Sequence, residues 1–240
     1  MPATLVAVAH GSRDPRALTT VTALLERVRA LRPGLDVRLG HVELDTPLLG
    51  DTLHALPAGT GAVLVPLLLG RGHHVKRDLP DTAARAAHLR IRQAAPLGPH
   101  PLLAEALHDR LRAAGWLPGT AVVLAAAGSR DPDSAADTRR TAALLAARLG
   151  GVPVVPAYAS AAAPSVPEAV RALAARSHEV AVASYFTAPG RFATQSAAAA
   201  PGPAAAPLGD HPALARLVLA RYDLALRQPY RGPRPELVPA

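Results

Sequence analysis

Residues 9–15 read A-H-G-S-R-D-P and residues 126–132 read A-A-G-S-R-D-P, so one run occurs twice at a spacing of 117 positions. A second run, A-P-L-G, occurs at residues 95–98 and 206–209 and is followed each time, after one further residue, by His-Pro. The spacing there is 111 positions, which makes the second copy about six residues shorter. These repeats predict a chain built from two similar units.

The duplication predicts how the 240 residues are divided. We expect a first domain over residues 1–117 and a second over residues 118–227, both within the usual size of a domain. Residues 228–240 contain four prolines and little apolar content. We expect this tail to be disordered.

Short apolar runs alternate with longer amphipathic segments in both copies. The predicted strands are residues 4–9, 37–42 and 62–69, then 121–126, 152–158 and 180–186. The predicted helices are residues 15–31, 47–56, 78–88 and 101–114, then 133–149 and 164–175. Apolar strands that alternate with helices are typical of a parallel sheet covered on both faces. The sequence therefore predicts an α/β protein with two similar domains, each a parallel β-sheet flanked by helices, related by internal duplication.

Two local features complete this prediction. Asp78 precedes a helical pattern with Pro80 in its first turn, so we expect Asp78 to cap that helix. Residues 196–206 are rich in Ala, Pro and Gly, and we expect them to form a loose loop.

The composition excludes several classes of protein. The net charge is +8, but 25 of the 26 basic residues are arginines scattered along predicted helices, so we do not expect a nucleic-acid partner. The chain has no cysteine, which excludes disulfides, cysteine-based zinc sites and thiol catalysis. It has no signal-peptide pattern and no apolar run of about 20 residues, so we expect a cytoplasmic protein without a membrane partner.

His10 is the residue of the repeated run that a turn does not explain. Gly11 allows a bend, and Ser12 or Asp14 can cap the following helix. The second copy retains these residue types but has Ala127 in place of the histidine. His10 also follows directly after a predicted strand, where parallel sheets bind ligands.

Two further segments end predicted strands with side chains of the same chemistry. Residues 66–80 read P-L-L-L-G-R-G-H-H-V-K-R-D-L-P and carry His73 and His74 past the third strand. Residues 41–47 read H-V-E-L-D-T-P and place Glu43 at the end of the second strand. Imidazole is a neutral ligand or proton acceptor near pH 7, and two imidazoles with a carboxylate suit a divalent transition metal.

Comparison of the two copies separates the site from the scaffold. Aligning Pro47 with Pro164 and Gly72 with Gly190 places Ala127, Ser160 and Phe192 opposite His10, Glu43 and His74. Eight of the ten histidines precede residue 118. Because all three polar side chains are replaced together, we predict that His10, Glu43 and His74 form one catalytic and metal-binding site in the first copy.

The same motifs resemble those of the class II tetrapyrrole chelatases of the CbiX and SirB type, the sirohydrochlorin chelatases, whose longer members consist of two fused copies. The matching pieces are A-H-G-S-R, E-L-x-x-P and P-L-x-L-x-x-G-x-H-x-x-x-D-L-P. The resemblance implies that His10 and His74 handle the metal and that Glu43 is the active-site carboxylate; His73 matches a variable position. It also implies that Fe²⁺ or Co²⁺ is a substrate, inserted into sirohydrochlorin without a nucleotide or a permanent cofactor.

The expected substrate is rimmed by carboxylates, and basic or polar residues lie next to the predicted site. We expect the rim to be bound by Ser12, Arg13, Arg71, Lys76 and Arg77. Since fusion of two copies replaces a dimer interface, we expect a monomer that binds the ring between its halves.

Several alternatives remain at this point. Iron, which gives siroheme, is favoured over cobalt for cobalamin, and nickel is not excluded by the ligands. A non-catalytic carrier of a metal or tetrapyrrole would use the same residues but would hold its ligand tightly. A phosphate-binding module at G-S-R-D is a weaker alternative because the chain has no phosphate-binding glycine motif and this reading gives His10 and His74 no role.

Overall fold

Two parallel β-sheets, one from each sequence copy, form the framework of the computed structural model, which describes residues 3–177 and 179–228. The strands are β1 (Thr4–Ala9), β2 (Val37–His41), β3 (Gly61–Pro66), β4 (Arg90–Gln93), β5 (Ala121–Ala126), β6 (Val154–Tyr158) and β7 (Val180–Tyr185). The first sheet has the order β2-β1-β3-β4 and the second has the order β6-β5-β7. The predicted α/β fold with two parallel sheets is confirmed.

Helices cover both sheets. They are α1 (Pro15–Leu31), α2 (Leu49–His54), α3 (Leu79–Arg85), α4 (Pro101–Ala113), α5 (Pro132–Arg148), α6 (Val166–Ala174), α7 (Arg191–Ala198) and α8 (Pro212–Arg227), with a π-helical turn at His74–Asp78. The repeated run starts α1 and α5 in the same way: Asp14 accepts a hydrogen bond from the Arg16 N–H, and Asp131 accepts one from the Asp133 N–H. None of the helices in the described part of the chain has the length and apolar character that crossing a bilayer requires.

Three local predictions differ from the structure. Asp78 makes no capping hydrogen bond, because its backbone is already helical (φ −63°, ψ −40°) and the π-helical turn runs directly into α3. The loose loop predicted for residues 196–206 is wrong in its first part, where alanines of high helix propensity continue α7 to Ala198. Strand β4 was not predicted, since R-I-R-Q reads as a polar segment although it pairs with β3 at the sheet edge.

The last helix of each copy packs on the sheet of the other copy. Helix α4 lies against α5 and β7, whereas α8 lies against α1, β3 and β4. The buried residues on one face of each sheet consequently form one continuous hydrophobic cluster, and the opposite faces form two separate clusters. Polar contacts follow the same exchange: the Tyr222 hydroxyl donates to the carbonyl of Ala3, and Arg32 pairs with Asp223 at 2.5 and 2.8 Å. The predicted boundary at residue 117 therefore divides the sequence into its two copies, but the two copies do not pack as independent domains.

The predicted disordered tail, residues 228–240, lies outside the described residues except for Gln228, which follows α8.

Helices α4 and α8, the two exchanged helices that each pack on the sheet of the other copy, both begin with a histidine cap. The Nδ1 atom of His100 accepts the Leu102 N–H at 3.1 Å, and Nδ1 of His211 accepts the Ala213 N–H at 3.2 Å. Both bonds require a neutral imidazole, because a protonated ring has no free lone pair. Burial lowers the pKa of both histidines below the ordinary value of 6.5.

We expect stability to fall as the pH is lowered from about 7.5 to about 5.5, since the unfolded chain binds protons at these two histidines more readily than the folded chain does. The stability that these two histidines contribute is fully present above their pKa in the unfolded chain. It is lost as the pH falls through their lower pKa in the folded protein. Thermal unfolding across this range checks it. Asn caps a helix without titrating, so His100→Asn/His211→Asn should flatten the dependence, whereas His88→Asn should not. Equal slopes in all three proteins would contradict the assignment.

Candidate active site

The carboxyl ends of three neighbouring strands bring the predicted site residues together. His10 follows β1, Glu43 follows β2, and His74 follows β3; β1 lies between the other two strands. The Nε2 atom of His10 is 3.7 Å from Oε1 of Glu43. The rings of His10 and His74 meet edge to face, with centroids 4.8 Å apart and planes at 88°. The structure therefore places Glu43 and His74 each next to His10.

Gly11 permits this close approach. Its φ is +98°, and a Cβ added there would lie 1.8 Å from the carbonyl oxygen of Glu43, so no other residue fits without a backbone shift. The second copy repeats this contact, with Gly128 at φ +89° and an added Cβ 1.9 Å from the carbonyl oxygen of Ser160. The backbone at both places is thus built in the same way.

Backbone hydrogen bonds establish the register between the copies. The Glu43 N–H donates to the carbonyl of His10 at 3.0 Å, and the Ser160 N–H donates to the carbonyl of Ala127 at the same distance. The alignment of Glu43 with Ser160 and of His10 with Ala127 is therefore confirmed. At the second position the Ser160 hydroxyl also donates to Ala127, so a short polar contact replaces the carboxylate.

Asp78 orients His74. Its Oδ2 lies 2.6 Å from Nδ1 of His74, and a carboxylate can only accept, so the proton of the neutral ring resides on Nδ1. The lone pair of Nε2 is then available as a metal ligand or proton acceptor, the arrangement found when a carboxylate supports a metal-binding histidine. Sequence reasoning missed this role by assigning Asp78 to a cap, although the four-residue spacing on a helix was the available signal.

His10 leaves its Nε2 facing the carboxylate. Its Nδ1 is 3.3 Å from the carbonyl oxygen of Gly11, an acceptor, so the proton of a neutral ring belongs there. The 3.7 Å between Nε2 and Glu43 exceeds a hydrogen bond. Two metal bonds of about 2.1 Å each span at most about 4.2 Å, so a single ion could contact both atoms.

The candidate site brings its side chains together in pairs. His10 is the common neighbour of Glu43 and His74. Across residues 3–177 and 179–228, no group of three or more His, Asp or Glu side chains is arranged to hold a metal ion.

A cleft of about 760 Å³ opens between the two halves, within the size range of small-molecule sites. His10 lines this cleft, whereas Glu43 and His74 adjoin His10 without lining it. Much of the remaining wall is apolar and comes from both halves, including Leu18, Leu44, Leu68, Phe186 and Phe192.

The five predicted binding residues have different surroundings. Ser12 and Arg13 line the cleft; Arg13 is exposed and makes no ion pair with any described residue. Arg77 lines a smaller cavity of about 530 Å³ beside His73.

The other two, Arg71 and Lys76, face aspartates of the second copy. Arg71 donates to Asp137, and Lys76 lies 2.6 Å from Asp131 and 2.9 Å from Asp133. The Lys76 ammonium lowers the pKa of Asp131, as expected of a direct ion pair.

Arg191, in the second copy, is a cleft residue that sequence reasoning missed. It lies at the start of α7 in the segment A-P-G-R-F and lines the cleft. Its guanidinium lies 5.6 Å from the centre of the Phe192 ring, a cation–π contact. The signal available in the sequence was that Arg191 directly precedes Phe192, the residue that aligns with His74.

Comparisons with known proteins agree with this architecture. The family model CbiX matches the chain twice, over residues 4–114 and 121–225. The sirohydrochlorin ferrochelatase of Bacillus subtilis (strain 168) is 29% identical over 175 residues, which are 70% of this chain and 67% of that protein. A sirohydrochlorin cobaltochelatase of Methanococcus maripaludis is 35% identical over 78 residues, 32% of this chain and 54% of that protein.

The solved structure of SirB from Bacillus subtilis with Fe³⁺ has the same fold, with a TM-score of 0.76 at 24% sequence identity. The superposition covers 94% of this chain and 96% of that chain.

The matched glycines allow a test of the site geometry. We expect Gly11→Ala and Gly128→Ala to lower the thermal midpoint by similar amounts, because each places a Cβ against a carbonyl oxygen at nearly the same distance. Only Gly11→Ala should also weaken Co²⁺ binding, since only there does the displaced strand end carry His10 and Glu43. Calorimetric titration with Co²⁺ checks this. Equal loss of Co²⁺ affinity in both variants would place the metal elsewhere.

Proposed function

The chain belongs to the CbiX family, and from that membership and its site we propose that it is a sirohydrochlorin chelatase, a lyase that inserts a divalent metal into the tetrapyrrole. The contact of His10 with both Glu43 and His74 at the wall of the inter-half cleft carries the proposal. We favour Fe²⁺, with siroheme as the product, because the relative aligned over 70% of this chain is named a ferrochelatase. Co²⁺ is the alternative metal.

Metal delivery is assigned to the two histidines. The Nε2 atoms of His10 and His74 are neutral donors of borderline softness, which bind Fe²⁺ or Co²⁺ without enclosing it. Asp78 fixes the tautomer of His74, and the carbonyl of Gly11 does the same for His10. The ion exchanges these ligands and its waters for the ring nitrogens, so it is a substrate and no resident cofactor is needed.

Proton removal must accompany insertion, because two pyrrole N–H protons leave as one M²⁺ enters. Glu43 is half-exposed, with 54% of its side chain accessible, and lies beside His10. It accepts one proton directly or through His10 and passes it to water. Once the metal has left, the imidazoles can accept the other.

Ring binding is assigned to the cleft. Its apolar wall covers the faces of the macrocycle, and the two arginines that line it, Arg13 and Arg191, pair with the peripheral carboxylates. Arg13 comes from the first copy and Arg191 from the second, so both halves would hold the ring. Arg71 and Lys76 are paired with aspartates and are not assigned to the ring carboxylates.

The first copy, residues 1–117, supplies the ligands, and the second, residues 118–227, completes the cleft. We propose a cytoplasmic monomer, since the two halves already provide the interface that separate copies would form.

Multiple-turnover insertion tests the activity. Anaerobic incubation with sirohydrochlorin and excess Fe²⁺ or Co²⁺, followed by the absorbance of the ring, should give many products per protein molecule. His10→Ala and His74→Ala should each lower kcat/KM by about 100-fold or more, because each histidine is assigned to metal delivery and can also accept a pyrrole proton. His54 and His88, another pair in the first copy with ring centroids 5.8 Å apart, provide the matched control.

Two outcomes would reject this proposal. Full activity after loss of His10 or His74 would reject the assigned site. Tight binding of metal or ring without turnover would identify a carrier instead.

The cleft arginines have a separate test. Arg13→Ala and Arg191→Ala should each raise the KM for sirohydrochlorin by about tenfold with little change in kcat, because a hydrogen bond to a charged group contributes about 1.5 kcal/mol. Steady-state kinetics of insertion measure this. Arg38→Ala, which removes an exposed cation paired with Asp36 outside the cleft, serves as the control. An unchanged KM in both arginine variants would place the carboxylates elsewhere.

A further inference from the structure

Carboxylates of the second copy hold the segment around His74 on both sides: Lys76 pairs with Asp131 and Asp133 after it, and Arg71 pairs with a buried aspartate before it. Asp137, on α5, has 5% of its side chain exposed. It accepts three hydrogen bonds from Arg71, from the backbone N–H at 2.9 Å, from Nε at 3.0 Å and from Nη2 at 2.8 Å. Because the bonds fix both the backbone and the guanidinium of Arg71, they define the position and direction of the loop three residues before His74.

Other contacts join the same loop to the same surface. An added Cβ at Gly70 would lie 3.5 Å from Cβ of Asp137, and one at Gly72 would lie 3.7 Å from Oγ of Ser129. The chain just before the loop is also held, because the Tyr185 hydroxyl donates to the carbonyl of Leu69 at 2.8 Å. The loop is therefore fitted closely against the second copy.

The Arg71–Asp137 attachment exists on one side of the molecule only. At the spacing of 117 positions, the first-copy counterpart of Asp137 is Thr20. Matching Gly72 with Gly190 makes Pro189 the counterpart of Arg71. Neither counterpart carries a charge, so the second-copy loop lacks this ion pair. The asymmetry coincides with the presence of His74 on one loop and Phe192 on the other.

We propose that Asp137 is a positioning residue for His74, so that the second copy contributes to metal handling although it has lost the metal ligands. This inference rests on the proposed function for its biological meaning. The Arg71 side chain is 48% exposed, so solvent screens the ion pair and its contribution to global stability is small. Its effect falls instead on the placement of the loop relative to His10.

A double-mutant cycle on Co²⁺ affinity tests the coupling in the full chain. Asp137→Ala should weaken Co²⁺ binding on the order of tenfold, the scale reported for groups that orient metal ligands, and Asp137→Asn should weaken it less. In a His74→Ala background, Asp137→Ala should change Co²⁺ affinity less than about twofold, because its effect passes through His74. In the insertion assay, Asp137→Ala alone should lower kcat and leave the KM for sirohydrochlorin unchanged.

Asp223→Ala is the matched control. Asp223, on α8, also pairs with an arginine of the other copy, but this ion pair joins α8 to the end of α1 and not to the loop that carries His74. Asp223→Ala should lower the thermal midpoint without changing Co²⁺ affinity. Equal effects of Asp137→Ala with and without His74, or no effect, would overturn the positioning role.

If the wild-type protein binds Co²⁺ through His74 but does not metallate sirohydrochlorin, the proposed function is overturned. The double-mutant cycle on Co²⁺ affinity then still tests the positioning role of Asp137. Unchanged Co²⁺ affinity in His74→Ala would overturn both.

Discussion

The exchange of α4 and α8 between the two copies is the constraint on which the rest of the structure depends. Each sheet buries one face under a helix that the other copy supplies, so the two halves share one hydrophobic cluster. That cluster fixes the separation of the sheets, and the separation defines the cleft. The loop between β3 and the π-helical turn can reach α5 of the second copy because the halves are held in this relation. A loosely tethered pair of domains would not keep Asp137 within hydrogen-bonding distance of Arg71.

Divergence between the copies has occurred in side chains on a shared backbone. Gly11 and Gly128 approach carbonyl oxygens in the same way, and the strand ends carry matching hydrogen bonds. Over this scaffold the first copy carries His10, Glu43 and His74. The second carries Asp137 and Arg191, whose counterparts in the first copy have different chemistry. The copies are thus complementary, with the proposed metal ligands on one side and groups that face the loop and the cleft on the other.

Sequence reasoning predicted the parallel sheets but missed the contacts between the copies, and the ligand set that it proposed stays a prediction. The apolar strands and their order of appearance indicated parallel sheets, and α1 was predicted with its observed bounds because Asp14 and Pro15 mark its start. His10, Glu43 and His74 were singled out because the second copy lacks them, and the structure places Glu43 and His74 next to His10. The Arg71–Asp137 contact joins residues 66 positions apart on different copies, and no local pattern specifies such a partner. Strand β4 and the π-helical turn were missed because their residues carry no apolar periodicity.

The exchanged helices also determine when the protein can fold during synthesis. Arg32, the residue that follows α1, meets Asp223 on α8, a separation of 191 positions, so the face of the first sheet that α8 covers cannot be fully buried until α8 has been made. Contacts of such long range slow folding, and an uncovered parallel sheet is prone to aggregation. The first copy, although it precedes α8 in the chain and carries His10 and His74, therefore reaches its final form only when α8 packs on its sheet. The surroundings of His10 and His74 are completed at that point, and a chain truncated before α8 would carry both side chains on an unfinished core.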